Sequence, residues 1–224
     1  MDSELEFLVH FFNDSAYLFK TISMAEADQV DAVCDAIVAQ RGWFGGRFAA
    51  SERADYLTMR RFVERSLYED YTQAYGPLKE TIPVFFYLYP NMTAQRAMEL
   101  AQERTRHSEA QAHVLMVRIE EIAETANITF TLNDSHTAYW QRATEAGIKC
   151  RGYAKDPVVL PDHNRVFPFA MIEEMHRKYR AQRIAYEVQV WDTQLLERLT
   201  YRILPSAAVE SGGEGRFHAM SSPR

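Results

Sequence analysis

Apolar positions along the chain alternate or recur at helical spacing, and they divide it into short strands and helices. Residues Glu6 to Phe12 are rich in aromatic residues, which predicts a first strand. Apolar residues recur at helical spacing from Met24 to Gln40, and they form one stripe from Arg53 to Tyr71. Two helices are therefore expected there. The apolar run Ile82 to Tyr89 then predicts a buried strand.

The second half of the chain also mixes helices with strands. Helical periodicity returns from Thr93 to Thr105, and Pro168 favours the start of a later helix because proline suits the first helical turn. The remaining predicted elements are a helix at Ser135–Thr144 and strands at Ala112–Ile119, Asn127–Leu132, Ile184–Asp192 and Leu199–Leu204. This mixture of elements predicts an α+β fold.

The chain is interpreted as a single domain. No internal repeat or convincing linker interrupts residues 1–205, whereas residues 206–224 lack core-forming residues and predict a mobile C-terminal tail. The length of 224 residues and the hydrophobic share of 47% are typical of a folded globular protein. They exclude the composition of an intrinsically disordered chain.

The compartment can also be inferred from the sequence. The first residues, Met1 to Phe12, are acidic and lack the basic leader of a secretory signal, so export is not expected. No stretch approaches the roughly 18 apolar residues of a membrane-spanning helix. The cysteines, Cys34 and Cys150, are too few for a disulfide framework and lack zinc-site spacing. A cytoplasmic protein with no membrane partner and no metal is expected.

Charge is distributed unevenly along the chain. A net charge of −6 argues against indiscriminate nucleic-acid binding, but Arg41 to Arg65 holds six arginines against three acidic residues. Inside this segment three glycines surround Trp43 and Phe44, which predicts a mobile loop from Arg41 to Arg53 that faces an acceptor such as single-stranded nucleic acid. Packing of both aromatic side chains against the core is the open alternative.

One acidic residue stands out, although the familiar strong motifs are missing. The sequence has no GxGxxG, P-loop, HExxH, GxSxG or CxxC pair. Glu187 lies in a predicted strand, on the same face as Gln189 and Trp191. Its side chain is either simply solvated or, if the strand floors a cleft, able to bind a sugar hydroxyl and accept a proton.

The order of short elements resembles a known family. It consists of a first strand with His10, a helix with Arg60 and Arg61, the strand FFYLYP, the strands VLMVRI and ITFTLND, and the late strand IAYEVQVWD. This order is similar to that of the DarT-type ADP-ribosyltransferase toxins, whose late strand holds the catalytic glutamate. The resemblance spans residues 5–205. It implies an ADP-ribosyltransferase-like fold, in which helices flank a split, bent mixed sheet.

The resemblance also implies an activity. The chain is expected to be an NAD-dependent mono-ADP-ribosyltransferase, a toxin or phage-defence effector that modifies nucleic acid or a protein side chain. A cognate inhibitor protein is an implied partner, and no metal is required. The catalytic residues implied are Glu187 and Arg61, and the NAD-binding residues implied are His10, Arg60, Tyr87, Tyr89 and Ser135.

Two details of the implied site are open. The family has His-x-Thr in its first strand, whereas Phe11 and Phe12 follow His10 here, so contacts to the nicotinamide end differ. Adjacent helical residues point about 100° apart, so only one of Arg60 and Arg61 can face a cleft.

Two other functions fit the same sequence. The first is a non-enzymatic protein that binds a partner through Trp43, Phe44 and the arginine helix, which predicts no NAD binding. The second is a metal-independent nuclease that uses His10 or His163 with the arginines. It predicts cleavage of nucleic acid in the absence of NAD.

Overall fold

The computed structural model describes residues 4–12, 18–41, 46–104, 113–122, 125–150 and 159–205. The predicted tail, residues 206–224, and the centre of the predicted loop, residues 42–45, lie outside the described residues. Both remain predictions.

Among the described residues, seven strands form one sheet. They are β1 (Phe7–Phe12), β2 (Val84–Leu88), β3 (His113–Arg118), β4 (Ile128–Leu132), β5 (Phe167–Pro168), β6 (Tyr186–Val190) and β7 (Arg202–Pro205). Their order across the sheet is β5-β4-β6-β2-β1-β3-β7, and neighbouring strands run antiparallel. The α+β class is confirmed, but the predicted mixed sheet is wrong. Strands buried on both faces gave no indication of direction, because helices cover both faces of this antiparallel sheet.

Seven α-helices accompany the sheet in the described part of the chain. They are α1 (Val30–Arg41), α2 (Arg53–Tyr75), α3 (Ala94–Arg104), α4 (Ser135–Ala138), α5 (Trp140–Glu145), α6 (Ile172–Tyr179) and α7 (Thr193–Arg198). The predicted helix from Ser135 is divided at Tyr139 into α4 and α5. Pro168 ends β5 instead of starting a helix, because a 3₁₀ turn separates it from α6. None of the described helices combines the length and hydropathy that crossing a bilayer requires.

The sheet is almost divided between β1 and β2. These two strands pair only at Leu8 with Leu88 and at Val9 with Tyr87, whereas β1 and β3 pair along the whole of β1. The Nδ1 atom of His10 lies 2.8 Å from the carbonyl oxygen of Phe85, where the two strands have separated. A short pairing beside His10 therefore keeps β1 and β2 in one sheet, and the split sheet implied by the resemblance stays a prediction.

The core occupies both faces of the sheet. On one face, α6 and α7 pack over the buried side chains of the central strands. On the other face, Met59 and Val63 of α2 pack near Trp191, and α3 packs over Val9 through Ala97. A cavity opens on this second face, lined by residues of both α2 and α3.

Candidate functional site

The cavity has a volume of about 980 Å³ and lies where β1 and β2 separate. Cavities of this size hold small molecules or cofactors. Its ionisable lining residues other than tyrosine are His10, Lys20, Arg47, Arg60, Arg104, Asp134, His136 and Glu187. Lysine and arginine outnumber the carboxylates, so the cavity favours an anionic ligand.

Glu187 lies in the middle of the sheet and lines this cavity. It pairs with Tyr87 of β2 on one side and with Thr131 of β4 on the other. The residue is only 5% exposed, and Gln189 and Trp191 on the same face are fully buried. Of the two alternatives left open by the sequence, the solvated side chain is therefore wrong.

The surroundings of Glu187 make its protonation state sensitive to pH near neutrality. Burial raises the pKa of Glu187, and the nearby charge of Asp134 raises it further, to about 7. The backbone N–H of Ser135 donates to Glu187 Oε1 at 3.1 Å and, with Arg60, partly offsets this rise. A carboxyl group that titrates near neutral pH suits acid–base chemistry.

The start of α4 explains why the Ser135 N–H is directed at Glu187. Asp134 caps this helix, and its carboxylate accepts the backbone N–H and the hydroxyl of Thr137 at 3.0 and 2.7 Å. Ser135 is fully buried and is not among the residues that line the cavity. Its implied role in NAD binding is not supported by this placement, because its N–H contacts the glutamate.

Arg60 is the arginine of the pair that reaches the cavity. Its guanidinium donates to Glu64 at 2.9 Å, to Ser23 at 3.1 Å and to the Tyr56 hydroxyl at 3.0 Å. It also lies 4.9 Å from the centre of the Phe85 ring. These contacts fix a largely buried cation in the cavity wall.

The two neighbouring arginines differ sharply in their surroundings. Burial alone would lower the pKa of Arg60, but the adjacent Tyr56 and Glu64 raise it above its ordinary value, so the side chain stays charged. Arg61 is exposed and does not line the cavity. The structure does not bring Arg61, implied to be catalytic, to the site, because the helix turns it away from Arg60.

Tyr87 and Tyr89 line the cavity together, as implied. Their rings stack with centroids 5.9 Å apart and planes at 25°. The Arg104 guanidinium lies 4.8 Å from the centre of the Tyr87 ring and 4.0 Å from that of Phe11. It also hydrogen-bonds to Tyr89. Burial raises the pKa of both tyrosines, which therefore stay neutral.

Four ionisable lining residues were not singled out from the sequence: Lys20, Arg104, Asp134 and His136. The His136 ring stacks on Tyr56, with centroids 5.7 Å apart and planes at 9°. Burial, followed by the charge of Arg60, lowers its pKa well below the ordinary value, so the imidazole is neutral. Only Asp134 had a visible signal, since an Asp three residues before Thr137 is typical of a helix N-terminus.

The other predicted residues have different positions. Arg47 lines the cavity, 5.5 Å from the centre of the Tyr56 ring. Arg53 instead holds α1 against α2 by bonding to Asp31, and the Phe48 carbonyl accepts its Nε–H. Arg47 and Arg53 therefore have different surroundings, and the acceptor-facing loop from Arg41 to Arg53 stays a prediction. Trp43 and Phe44 lie outside the described residues.

The nuclease alternative uses His10 or His163, and these two histidines have different surroundings. His10 lines the cavity, whereas His163 is not part of its lining. The Nδ1 atom of His163 accepts the backbone N–H of Leu160 at 3.3 Å. Within the residues that the structure describes, no group of three or more His, Cys, Asp or Glu side chains is arranged to hold a metal ion.

Comparison of the chain with protein-family models, with curated proteins and with solved structures found no match in any of the three. The functional interpretation therefore depends on the geometry of the cavity and on the residues that line it.

Proposed function

We propose that the chain is an NAD-dependent mono-ADP-ribosyltransferase that uses Glu187 as its catalytic carboxylate. The observation that carries the proposal is the position of this residue. A buried carboxyl group with a pKa of about 7 lies at the floor of a cavity of about 980 Å³. Stacked tyrosines and the buried cation Arg60 lie in the same cavity wall.

NAD matches the chemistry of these walls. Its pyrophosphate is anionic, and Arg60, Arg47 and Lys20 supply cations. Its nicotinamide ring is planar, and Tyr87 and Tyr89 offer aromatic faces. Its ribose hydroxyls can donate hydrogen bonds to the Glu187 carboxylate. Burial of the same carboxylate strengthens its interaction with positive charge that develops on the ribose.

The proposed reaction exchanges one bond for another at the ribose carbon that carries nicotinamide. The bond from this carbon to nicotinamide breaks, and the bonding electron pair leaves with the neutral nicotinamide. The acceptor nucleophile supplies the electron pair of the new bond, and its proton passes to Glu187. Above about pH 7 the side chain is a carboxylate and can take that proton.

The acceptor is either nucleic acid or a protein side chain. The basic character of the Arg41–Arg65 segment supports nucleic acid, preferably single-stranded. A role as a toxin or phage-defence effector, with a cognate inhibitor protein, is part of the proposal that rests on the family resemblance alone.

Transfer of labelled ADP-ribose tests the proposal. The protein is incubated with NAD labelled in its adenylate half and, separately, with single-stranded DNA, RNA and cell lysate. We expect label on one acceptor, and Glu187→Gln should reduce its incorporation at least 100-fold, as expected for loss of a general base.

Glu120→Gln provides the matched control, because the Glu120 side chain is 68% exposed and outside the cavity lining. It should leave incorporation unchanged. Label on no acceptor, together with no binding of NAD, would favour the partner-binding alternative. Cleavage of nucleic acid without NAD would favour the nuclease.

A further inference from the structure

A second cavity lies beside the first and has a different set of walls. Its volume is about 670 Å³, and Tyr89 lines both cavities. The loop that follows β2 and the start of α3 form one side, and the end of α6 forms the other. None of the functions considered above uses this space.

Arginines outnumber carboxylates among the described residues that line the second cavity. Arg96, Arg180 and Arg183 contribute guanidinium groups, whereas Glu4 contributes the one carboxylate among its lining residues. Met92 and Leu100 add apolar surface. Such a surface fits a ligand that carries concentrated negative charge.

The carboxylates near these arginines do not block them. Arg96 pairs with Glu99 at 3.0 Å and with Glu103 at 3.7 Å, and all three side chains are about half exposed. Arg180 pairs with Glu4 at 2.6 Å, and its side chain is 58% exposed. The ion pairs of Arg96 are exposed and therefore worth little, so a bound dianion can recruit this guanidinium group.

Arg183 is placed in a backbone conformation that an arginine rarely adopts. Its φ of 49° and ψ of 40° are left-handed, and it ends the 3₁₀ turn Arg180–Gln182 at a position where glycine or asparagine is usual. Its side chain forms no ion pair or hydrogen bond with any residue that the structure describes. An exposed arginine at a strained position is explained if its charge binds a ligand.

A buried histidine, His176 of α6, stabilises the side of the second cavity that Arg180 and Arg183 line. His176 is 2% exposed, its Nδ1 lies 3.1 Å from the Tyr186 hydroxyl, and its Nε2 lies 2.9 Å from Glu4. Glu4 in turn binds Arg180. This series of hydrogen bonds, which runs from Tyr186 through His176 and Glu4 to Arg180, therefore fixes the position of the Arg180 guanidinium relative to the sheet.

We propose that the second cavity binds a phosphate-bearing ligand through Arg96, Arg180 and Arg183. A phosphate dianion matches two or three guanidinium groups, and the apolar side chains accommodate the part of the ligand that carries the phosphate. The proposal does not depend on NAD or on the chemistry at Glu187, because the two cavities share only Tyr89.

Titration with inorganic phosphate tests the site, at constant ionic strength and with chloride as the reference anion. We expect saturable binding of phosphate to the native protein. Calorimetry and the NMR signals of 15N-labelled arginine side chains measure this binding. Arg183→Gly should weaken binding at least tenfold. Since glycine relieves the left-handed strain, the melting temperature should hold or rise. A general loss of folding therefore cannot imitate the expected result.

Three further variants make the result specific. Arg177→Gln removes an exposed arginine of α6 that does not line the second cavity. This variant should bind phosphate as the native protein does. Arg60→Gln and Glu187→Gln alter the first cavity and should also retain binding. Absence of saturable binding would overturn the proposal. So would loss of binding in Arg60→Gln with full binding in Arg183→Gly, because phosphate would then occupy the first cavity.

Discussion

Two buried carboxyl groups, those of Asp162 and Glu187, are almost equally hidden from solvent but have opposite surroundings. Asp162 is 6% exposed and Glu187 is 5% exposed. Asp162 accepts the Tyr179 hydroxyl at 2.7 Å and pairs with Lys178 and Arg165. Glu187 accepts one backbone N–H and lies near a second carboxylate. One acid is neutralised by its neighbours, whereas the other is not.

The pKa values of these two carboxyl groups are shifted in opposite directions. Burial alone would raise the pKa of Asp162, but the hydrogen bonds from Lys178 and Tyr179 lower it below its ordinary value. Burial and Asp134 raise the pKa of Glu187 to about 7. Asp162 therefore stabilises the fold as a carboxylate, whereas ionisation of Glu187 opposes folding. A destabilising acid in a cavity is typical of a functional residue and not of a structural one.

The largest expected effect on stability comes from neutralising each acid in turn. At about pH 8, Glu187→Gln should raise the free energy of unfolding by up to about 3 kcal/mol, because the folded protein no longer ionises a buried group. Asp162→Asn should lower it by about 1–2 kcal/mol, because charge-assisted hydrogen bonds are lost and Lys178 is partly screened by solvent. Urea denaturation measures both values.

The two carboxyl groups should change the stability of the protein with pH in opposite directions. Since the pKa of Glu187 is raised in the folded state, the native protein loses stability as pH rises from the ordinary value of 4.5 to about 7. Glu187→Gln should therefore gain nothing at about pH 4, where both side chains are neutral. The stability that Asp162 supplies is lost as pH falls through its lowered pKa. Equal destabilisation by both variants at about pH 8 would end the distinction between the two acids.

The next effect concerns the cation that faces Glu187. Arg60→Gln should weaken NAD binding about tenfold or more, because a charge-assisted contact is worth roughly 1.5–3 kcal/mol. The same change at Arg61 should have little effect, because this side chain is exposed and outside the cavity. Equilibrium titration with NAD compares the two variants. Similar losses at both positions would contradict the assignment of Arg60.

A smaller effect is expected at Arg104, whose guanidinium lies against Tyr87 and Phe11. Arg104→Gln should raise the KM for NAD by roughly two- to thirtyfold, which corresponds to a cation–π contact of about 0.5–2 kcal/mol. Arg104→Lys should restore only part of the loss, since lysine keeps the charge but not the planar group. Glu103→Gln, at the neighbouring exposed position, is the control. An unchanged KM in Arg104→Gln would show that the tyrosine pair does not need this residue.

Local patterns in the sequence identified most of the elements. The apolar stripe of α2 and the aromatic run of β2 were read correctly, since each lies in one continuous segment. The split sheet expected from the resemblance stays a prediction. Strand direction was missed, because antiparallel strands buried on both faces have the same apolar pattern as parallel ones.

The candidate site was only partly predictable. Glu187 stood out as an acid within its strand pattern, whereas Tyr87 was implied by the resemblance. Their cross-strand pairing explains why they meet. The choice between Arg60 and Arg61 depended on how α2 rotates about its axis, which packing decides. Arg104 reaches the cavity from the end of a helix distant in sequence, so no local pattern could indicate it.

The most direct test of the central claim is the rate of nicotinamide release at saturating NAD, compared between the native protein and Glu187→Gln. We expect both proteins to bind NAD with similar affinity, and the variant to release nicotinamide at least about 100-fold more slowly, because only the chemical step has lost its carboxylate. Release by the variant at the native rate would contradict the account, and so would a native protein that binds NAD but never releases nicotinamide in the presence of its acceptor.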